Sequence, residues 1–290
     1  MTLPSEEVRY MAKIVDESLI KNGFKEVEGI RWHWVEAGQG QAVVLVHGLP
    51  ESWYAWRYQI PPLSEHFRVI VPDLKGYGQS DKRECNYNAA NVARELASLI
   101  QALGEERYGL VGHDWGGVVA SQLAAAFPER IMKYIHMSTP IHIYDPKLVP
   151  HHKAFRDTEK TMALMSNTET FIRTVYASSC KKGAEAIPEP EMKRIIEEFS
   201  ISGTAAAVPR YFRDTPILYP AVSPHWERLT MPVHLIYPDS DPRQPLYFLD
   251  GVEKVIPGYQ GRTIIHDSGH FSMQEQPEQV TKALLDFLLK

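Results

Sequence analysis

The sequence predicts an α/β chain: a mostly parallel, doubly wound sheet with a helical insert. Short apolar runs rich in Val, Ile, Leu and Tyr recur along it, as in strands buried on both faces. Helical stretches separate several of these runs, and βα alternation implies right-handed crossovers onto one sheet. The alternation fails between about Pro140 and Ser223, so a mostly helical insert divides the core.

Taken in order, Ser5 to Asn22 is expected to be a helix. Ser5 can cap it, Glu6 and Glu7 fall in the first turn, and Val8, Met11, Ile14, Val15 and Leu19 recur at helical spacing before Gly23. Gly29 to Glu36 alternates, with Ile30, Trp32 and Trp34 on one side, as in a half-buried strand. The buried strands are read at Ala42 to Val46, Val69 to Val71, Tyr108 to Val111, Tyr134 to Met137 and Val233 to Tyr237. Core helices are read at Ala90 to Leu103, Val118 to Phe127 and Gln279 to Leu289. Within the insert, Thr168 to Ser178, Glu189 to Ser200 and Thr204 to Phe212 are helical. The expected division is a core of 1–139 and 223–290, with 1–23 as an N-terminal helical extension, and an insert of 140–222.

Composition narrows the function classes. The 290 residues are 44% apolar and 23% charged, with a net charge of −5. Such a chain can bury a core, and it lacks the basic excess that binding nucleic acid or an anionic membrane requires. No apolar run reaches a membrane span, and Met1 to Tyr10 has no apolar stretch of a secretory signal. Cys85 and Cys180 are too few for a disulfide framework and read as free thiols, so a cytoplasmic setting is expected. His151-His152 are adjacent and ill-placed to share one ion, and no zinc-spaced His/Cys cluster or phosphate loop occurs, so no metal or cofactor is expected.

The most informative stretch is Leu110-Val111-Gly112-His113-Asp114-Trp115-Gly116-Gly117. A buried strand ends there and a helix begins at once. Glycines at −2, +2 and +3 around Asp114 suit a tight turn that lifts a nucleophile above the sheet edge. Asp114 as a plain N-cap is the simpler alternative, and the glycine spacing argues against it. After an earlier strand, Val46-His47-Gly48-Leu49-Pro50-Glu51 offers the Leu49 N–H as an oxyanion donor, with the Trp115 N–H as the second and His47 shaping the turn. Asp241 or Asp239 follows the resumed strand, and His270 comes later in Ser268-Gly269-His270. Nucleophile, acid, histidine is the chain order of one hydrolase class.

These motifs resemble the epoxide hydrolases of the α/β-hydrolase superfamily, the Asp-nucleophile branch related to haloalkane dehalogenases. The stretches that carry the resemblance are His47 to Arg57, Pro72 to Asp81, Gly112 to Gly117, and Ser268-Gly269-His270 with Gln274-Glu275-Gln276-Pro277. They span nearly the whole core, and the insert takes the place of the family's helical cap. The resemblance implies Asp241 as the acid, Asp73 and Gly76 to Asp81 as scaffold, and a cis peptide before Pro50. It also implies two cap tyrosines as proton donors. Counted from Ser202-Gly203, the first is Tyr211; counted back from Arg213, the position is Phe212, which has no proton to give. Tyr176 is the nearest second donor, although Arg173 competes for its register; Tyr144 is remote. Trp115, Pro50 and Phe212 are expected to contact substrate.

A carboxylate nucleophile selects the chemistry. Attack on an ester carbonyl would give an anhydride, whereas attack on saturated carbon gives an ordinary ester. Epoxides and alkyl halides are therefore the fitting substrates. His270, oriented by Asp241, would then activate the water that hydrolyses the ester. The expected activity is epoxide hydrolysis of a small apolar substrate. Haloalkane dehalogenation is the alternative, weakened because Leu49 has no side-chain halide donor; fluoroacetate-type enzymes carry Arg where Trp115 stands. A ligand-binding protein on this fold is the non-catalytic alternative, although all three reactive residues are kept. The N-terminal helix is expected to pack on the core or on a second copy in a homodimer.

Overall fold

The computed structural model describes residues 13–215 and 225–290. Eight strands form one sheet in the order β1-β2-β4-β3-β5-β6-β7-β8. Lys21–Val27 (β1) and Ile30–Ala37 (β2) form an antiparallel hairpin, and β2 pairs antiparallel with Arg68–Pro72 (β4). All other pairings are parallel: β4 with Ala42–Val46 (β3), then Tyr108–His113 (β5), Ile131–Met137 (β6), Val233–Pro238 (β7) and Tyr259–Ile265 (β8). β3 and β5 are buried along their whole length. Each fully buried Val or Leu there contributes roughly 1.5–3 kcal/mol, which is why these runs carry no polar face.

The expected helix over Ser5 to Asn22 is not formed where the chain is described. Residues 5–12 lie outside the described residues, and after a short turn at Glu17–Leu19 the chain enters β1 at Lys21. The hairpin explains this: Glu28 and Gly29 both take positive φ (51° and 73°), the geometry of a two-residue turn that pairs β1 with β2.

Helices cover both faces. Ile60–Ser64 (α1), Ala89–Ala102 (α2) and Trp115–Ala126 (α3) precede β6. The segment between β6 and β7 holds His151–Ala154 (α4), Thr158–Met165 (α5), Thr168–Ser179 (α6), Glu189–Phe199 (α7) and Thr204–Asp214 (α8). Ser272–Glu275 (α9) and Pro277–Leu288 (α10) close the chain. The ends of β3, β5 and β7 and the loop after β8 all deliver residues to one place, where the helical segment also packs.

Candidate active site

Asp114 sits between β5 and α3 with φ 52° and ψ −125°, a conformation rarely adopted by a residue with a side chain. The surroundings enforce it. The Asp114 N–H donates to the Met137 carbonyl at 3.2 Å, and its own carbonyl accepts from Thr139 Oγ1 at 2.8 Å. The flanking glycines allow the turn to close. A Cβ at Gly116 would lie 2.3 Å from the Val46 carbonyl oxygen, and one at Gly112 would lie 2.5 Å from that of Gly116.

Asp114 Oδ1 accepts the Leu49 N–H at 2.9 Å, and Oδ2 lies 3.2 Å from His270 Nε2. His270 Nδ1 lies 2.7 Å from Asp241 Oδ2. Asp241 Oδ1 accepts the backbone N–H groups of Arg243 (2.8 Å) and Gln244 (3.2 Å), so both carboxylate oxygens are engaged. Asp239 does not reach the histidine ring; it accepts from Asp267 N and Ser240 Oγ in an exposed loop. Trp115 opens α3, so its backbone N–H has no intrahelical acceptor. The Leu49–Pro50 peptide is cis.

Charge follows from this geometry. Burial alone would raise the Asp114 pKa, but His270, His113 and the Leu49 N–H hold it far below the usual carboxylate range. Burial would likewise lower the His270 pKa, yet Asp241 and Asp114 raise it to about 10. The pair therefore rests as an imidazolium between two carboxylates. Neutralising either carboxylate would remove one of the two charges that raise the His270 pKa.

A further chain, not visible in the motifs, ties the turn at Gly48 to His270. The Gly48 N–H donates to Glu51 Oε2, which lies 3.1 Å from His113 Nδ1, and His113 Nε2 lies 2.9 Å from the His270 carbonyl. Gln274 Nε2 donates to Glu51 Oε1 at 2.7 Å and also to the Tyr176 hydroxyl. His47 is committed to the scaffold: Nδ1 meets the Gly48 carbonyl and Nε2 accepts the Leu74 N–H. Asp73 is likewise buried, accepting from Trp53 N and Gln79 N.

Two cavities open over Asp114 and Trp115. The larger, about 360 Å³, is walled by Leu49, His151, Phe155, Phe171, Arg243 and His270. The smaller, about 60 Å³, is walled by Tyr144, His152, Ser138, Trp226, Ile141 and Gln244. The aromatic and aliphatic walls suit an apolar ligand with few polar anchors.

The expected proton donors are not among these walls. The Tyr211 hydroxyl donates to the Lys75 carbonyl at 2.7 Å, with its ring packed on Tyr77, Tyr87 and Trp115. Successive helical residues diverge by about 100°. The phase of α8 that sends Tyr211 toward Lys75 therefore turns Phe212 toward Trp115 (4.8 Å between ring centres), His152 and Phe155. Phe212 backs the cavity wall rather than lining it. Tyr176 stacks on Phe271 at 4.2 Å with its hydroxyl against Gln274. It borders a separate small cavity together with Pro50, which does not reach Asp114. Arg173 is on the surface, paired with Glu169 and Glu189. Tyr144, His151, His152 and Arg243 take the cavity positions instead.

The sequence profile described as "alpha/beta hydrolase fold" matches residues 41–176. The chain has the α/β-hydrolase fold. Proteins similar to it include several named as epoxide hydrolases. It is 28% identical to "Epoxide hydrolase 3" of Siraitia grosvenorii, over 90% of this chain and 96% of that one. It is 26% identical to human "Epoxide hydrolase 4", over 90% of this chain and 76% of that one. Among solved structures, an epoxide hydrolase of Vigna radiata superposes with a TM-score of 0.81 at 26% identity, covering 95% of this chain and 99% of that one. The two cysteines are free thiols, and no helix among the described residues is long and apolar enough to cross a membrane.

Proposed function

We propose that this hydrolase opens epoxides to vicinal diols through a covalent ester on Asp114. One observation carries the reading: the buried nucleophile position holds a carboxylate, gripped by the Leu49 N–H on one oxygen and facing His270–Asp241 with the other. A carboxylate so placed makes a hydrolysable ester only at saturated carbon, and the names of the relatives point to the strained three-membered ether.

Asp114 Oδ2 attacks one ring carbon as the C–O bond breaks toward the ring oxygen. Oδ1 stays on the Leu49 N–H and becomes the ester carbonyl oxygen. With Asp114 neutralised, His270 gives up its extra proton to solvent and, held by Asp241 through Nδ1, accepts one from water through Nε2. The water attacks the ester carbonyl carbon, and the oxyanion forms against the Leu49 and Trp115 N–H groups. Collapse releases the diol and restores Asp114. The insert, 140–222, acts as the cap that shields this chemistry, and the substrate is a small apolar epoxide lying against Trp115 and the aromatic wall.

Incubation with styrene oxide tests the reading. The protein is expected to release the diol, and Asp114→Asn is expected to release none. Halide release from 1-bromobutane without diol formation from any epoxide would replace it with dehalogenation.

A further inference from the structure

Ring opening puts negative charge on the epoxide oxygen, and an alkoxide leaves poorly without a proton. The hydroxyls of Tyr211 and Tyr176 are committed away from Asp114, so the donor must come from elsewhere. The small cavity over Asp114 contains a different pair. The Tyr144 hydroxyl and His152 Nδ1 are 3.1 Å apart, and the two rings stack with 5.9 Å between centres. His152 is wedged over the nucleophile by Trp115 and Phe212. Burial, with Arg243 nearby, pulls the His152 pKa down to about 4 despite the attraction of Asp114, so the ring is neutral at pH 7. A neutral ring that accepts the tyrosine proton on Nδ1 carries its own on Nε2, and nothing among the described residues accepts from Nε2.

The same cavity shows a second, independent sign. Ser138 Oγ and Gln244 Oε1, both buried, have no hydrogen-bond partner, and both line this cavity with Tyr144 and His152. Both are acceptors that a hydroxyl in this recess would satisfy. The recess, about 60 Å³, opens beside Asp114 and Trp115, as does the larger cavity.

We propose that the small cavity receives the epoxide oxygen and that the Tyr144–His152 pair protonates it, His152 giving the Nε2 proton while Tyr144 resupplies Nδ1. This rests on the epoxide reading of the site. As the Asp114 Oδ2–carbon bond forms, the ring C–O bond breaks and its electron pair goes to oxygen. That oxygen takes the Nε2 proton, Nδ1 takes the phenol proton, and a phenolate remains on Tyr144. A phenol is a far stronger acid than an alcohol, so the transfer runs downhill. Ester hydrolysis frees one proton from water, and solvent returns one to Tyr144. Ser138 and Gln244 then hydrogen-bond the new hydroxyl.

The test separates the two half-reactions. Under single-turnover conditions with styrene oxide, alkylation and ester hydrolysis are timed for the wild type and for His152→Gln, His152→Asn, Tyr144→Phe and Tyr211→Phe, each checked for a native circular dichroism spectrum. The His152 and Tyr144 variants are expected to slow alkylation by about 100-fold or more while leaving hydrolysis within about threefold. The double variant should lose no more than the worse single, because the pair acts as a unit. The loss should shrink for trifluoromethyl oxirane, whose alkoxide is less basic. Tyr211→Phe should alkylate within about threefold of the wild type. Alkylation retained in either Tyr144→Phe or both His152 variants overturns the pair, as does a selective loss in Tyr211→Phe. A wild type that opens no epoxide overturns the functional reading and the pair together.

Discussion

Asp241→Asn isolates the second half-reaction. In the structure, Asp241 Oδ1 accepts two backbone N–H groups, from Arg243 at 2.8 Å and Gln244 at 3.2 Å. An asparagine must keep its carbonyl there, because an amide NH₂ would face two donors. Its NH₂ group is then forced against His270 Nδ1, where the carboxylate lay at 2.7 Å. The ring can only accept from that NH₂, so its proton moves to Nε2, the atom that must take a proton from water. The variant also removes one of the two charges that raise the His270 pKa to about 10. Wrong tautomer and lost charge together predict a fall of roughly 10³–10⁴ in ester hydrolysis. Alkylation depends on Asp114 and should fall far less. Rapid mixing with styrene oxide followed by intact-protein mass spectrometry should show the alkyl-enzyme accumulating in Asp241→Asn and not in the wild type. Hydrolysis within about tenfold of the wild type, or alkylation lost as severely as hydrolysis, would refute the orientation argument.

Two other outcomes follow from the same geometry. In Asp114→Asn, NMR titration of the His270 ring should give a pKa well below the wild-type value of about 10, since a flanking negative charge is gone. The sign for stability follows: the His270 contribution is full below its unfolded pKa and is lost as pH rises through about 10, so alkaline denaturation should be shallower in this variant. The second outcome concerns the tie between the insert and the core. Arg57 is fully buried and its guanidinium is paired with Glu191 of α7, Nε lying 2.6 Å from the carboxylate, with Tyr54 and Gln274 as further acceptors. Glu191→Gln strands that charge and should cost about 3–5 kcal/mol by chemical denaturation. Pairing Glu191→Met with Arg57→Met should recover most of it, and a single-variant cost under about 1 kcal/mol would contradict the pairing.

The sheet interior and the turn at Asp114 are legible in the sequence because both are local patterns, whereas Asp241 is preferred to Asp239 only through the family resemblance. β3, β5 and β7 are continuous apolar runs, and the turn at Asp114 is spelled out by glycines within three residues. The edges are not legible. β1 is Lys-Asn-Gly-Phe-Lys-Glu-Val with only Gly23 buried, so no alternation marks it, and its start overlaps a helical periodicity that the hairpin overrides. β8, the opposite edge, is also largely open. The residues that face the cavity from the insert are not legible for a different reason. A one-residue uncertainty along α8 is a rotation of about 100°: both rings touch Trp115, but Tyr211 turns its hydroxyl to Lys75 while Phe212 faces His152 and Phe155. Tyr144 and His152 come from a loop and a single-turn helix, where no periodicity links them; only folding places the hydroxyl on the ring. The His151-His152 doublet carries no spacing that ties it to Tyr144 or to Asp114.

The central claim is that the oxygen added to the substrate comes from Asp114. A single turnover with styrene oxide in ¹⁸O-water measures it directly. The first diol is expected to carry unlabelled oxygen, ¹⁸O is expected in the peptide containing Asp114, and Asp114→Asn is expected to yield no diol. First-turnover diol already carrying ¹⁸O, with Asp114 unlabelled, would mean direct attack by water and would contradict the covalent mechanism.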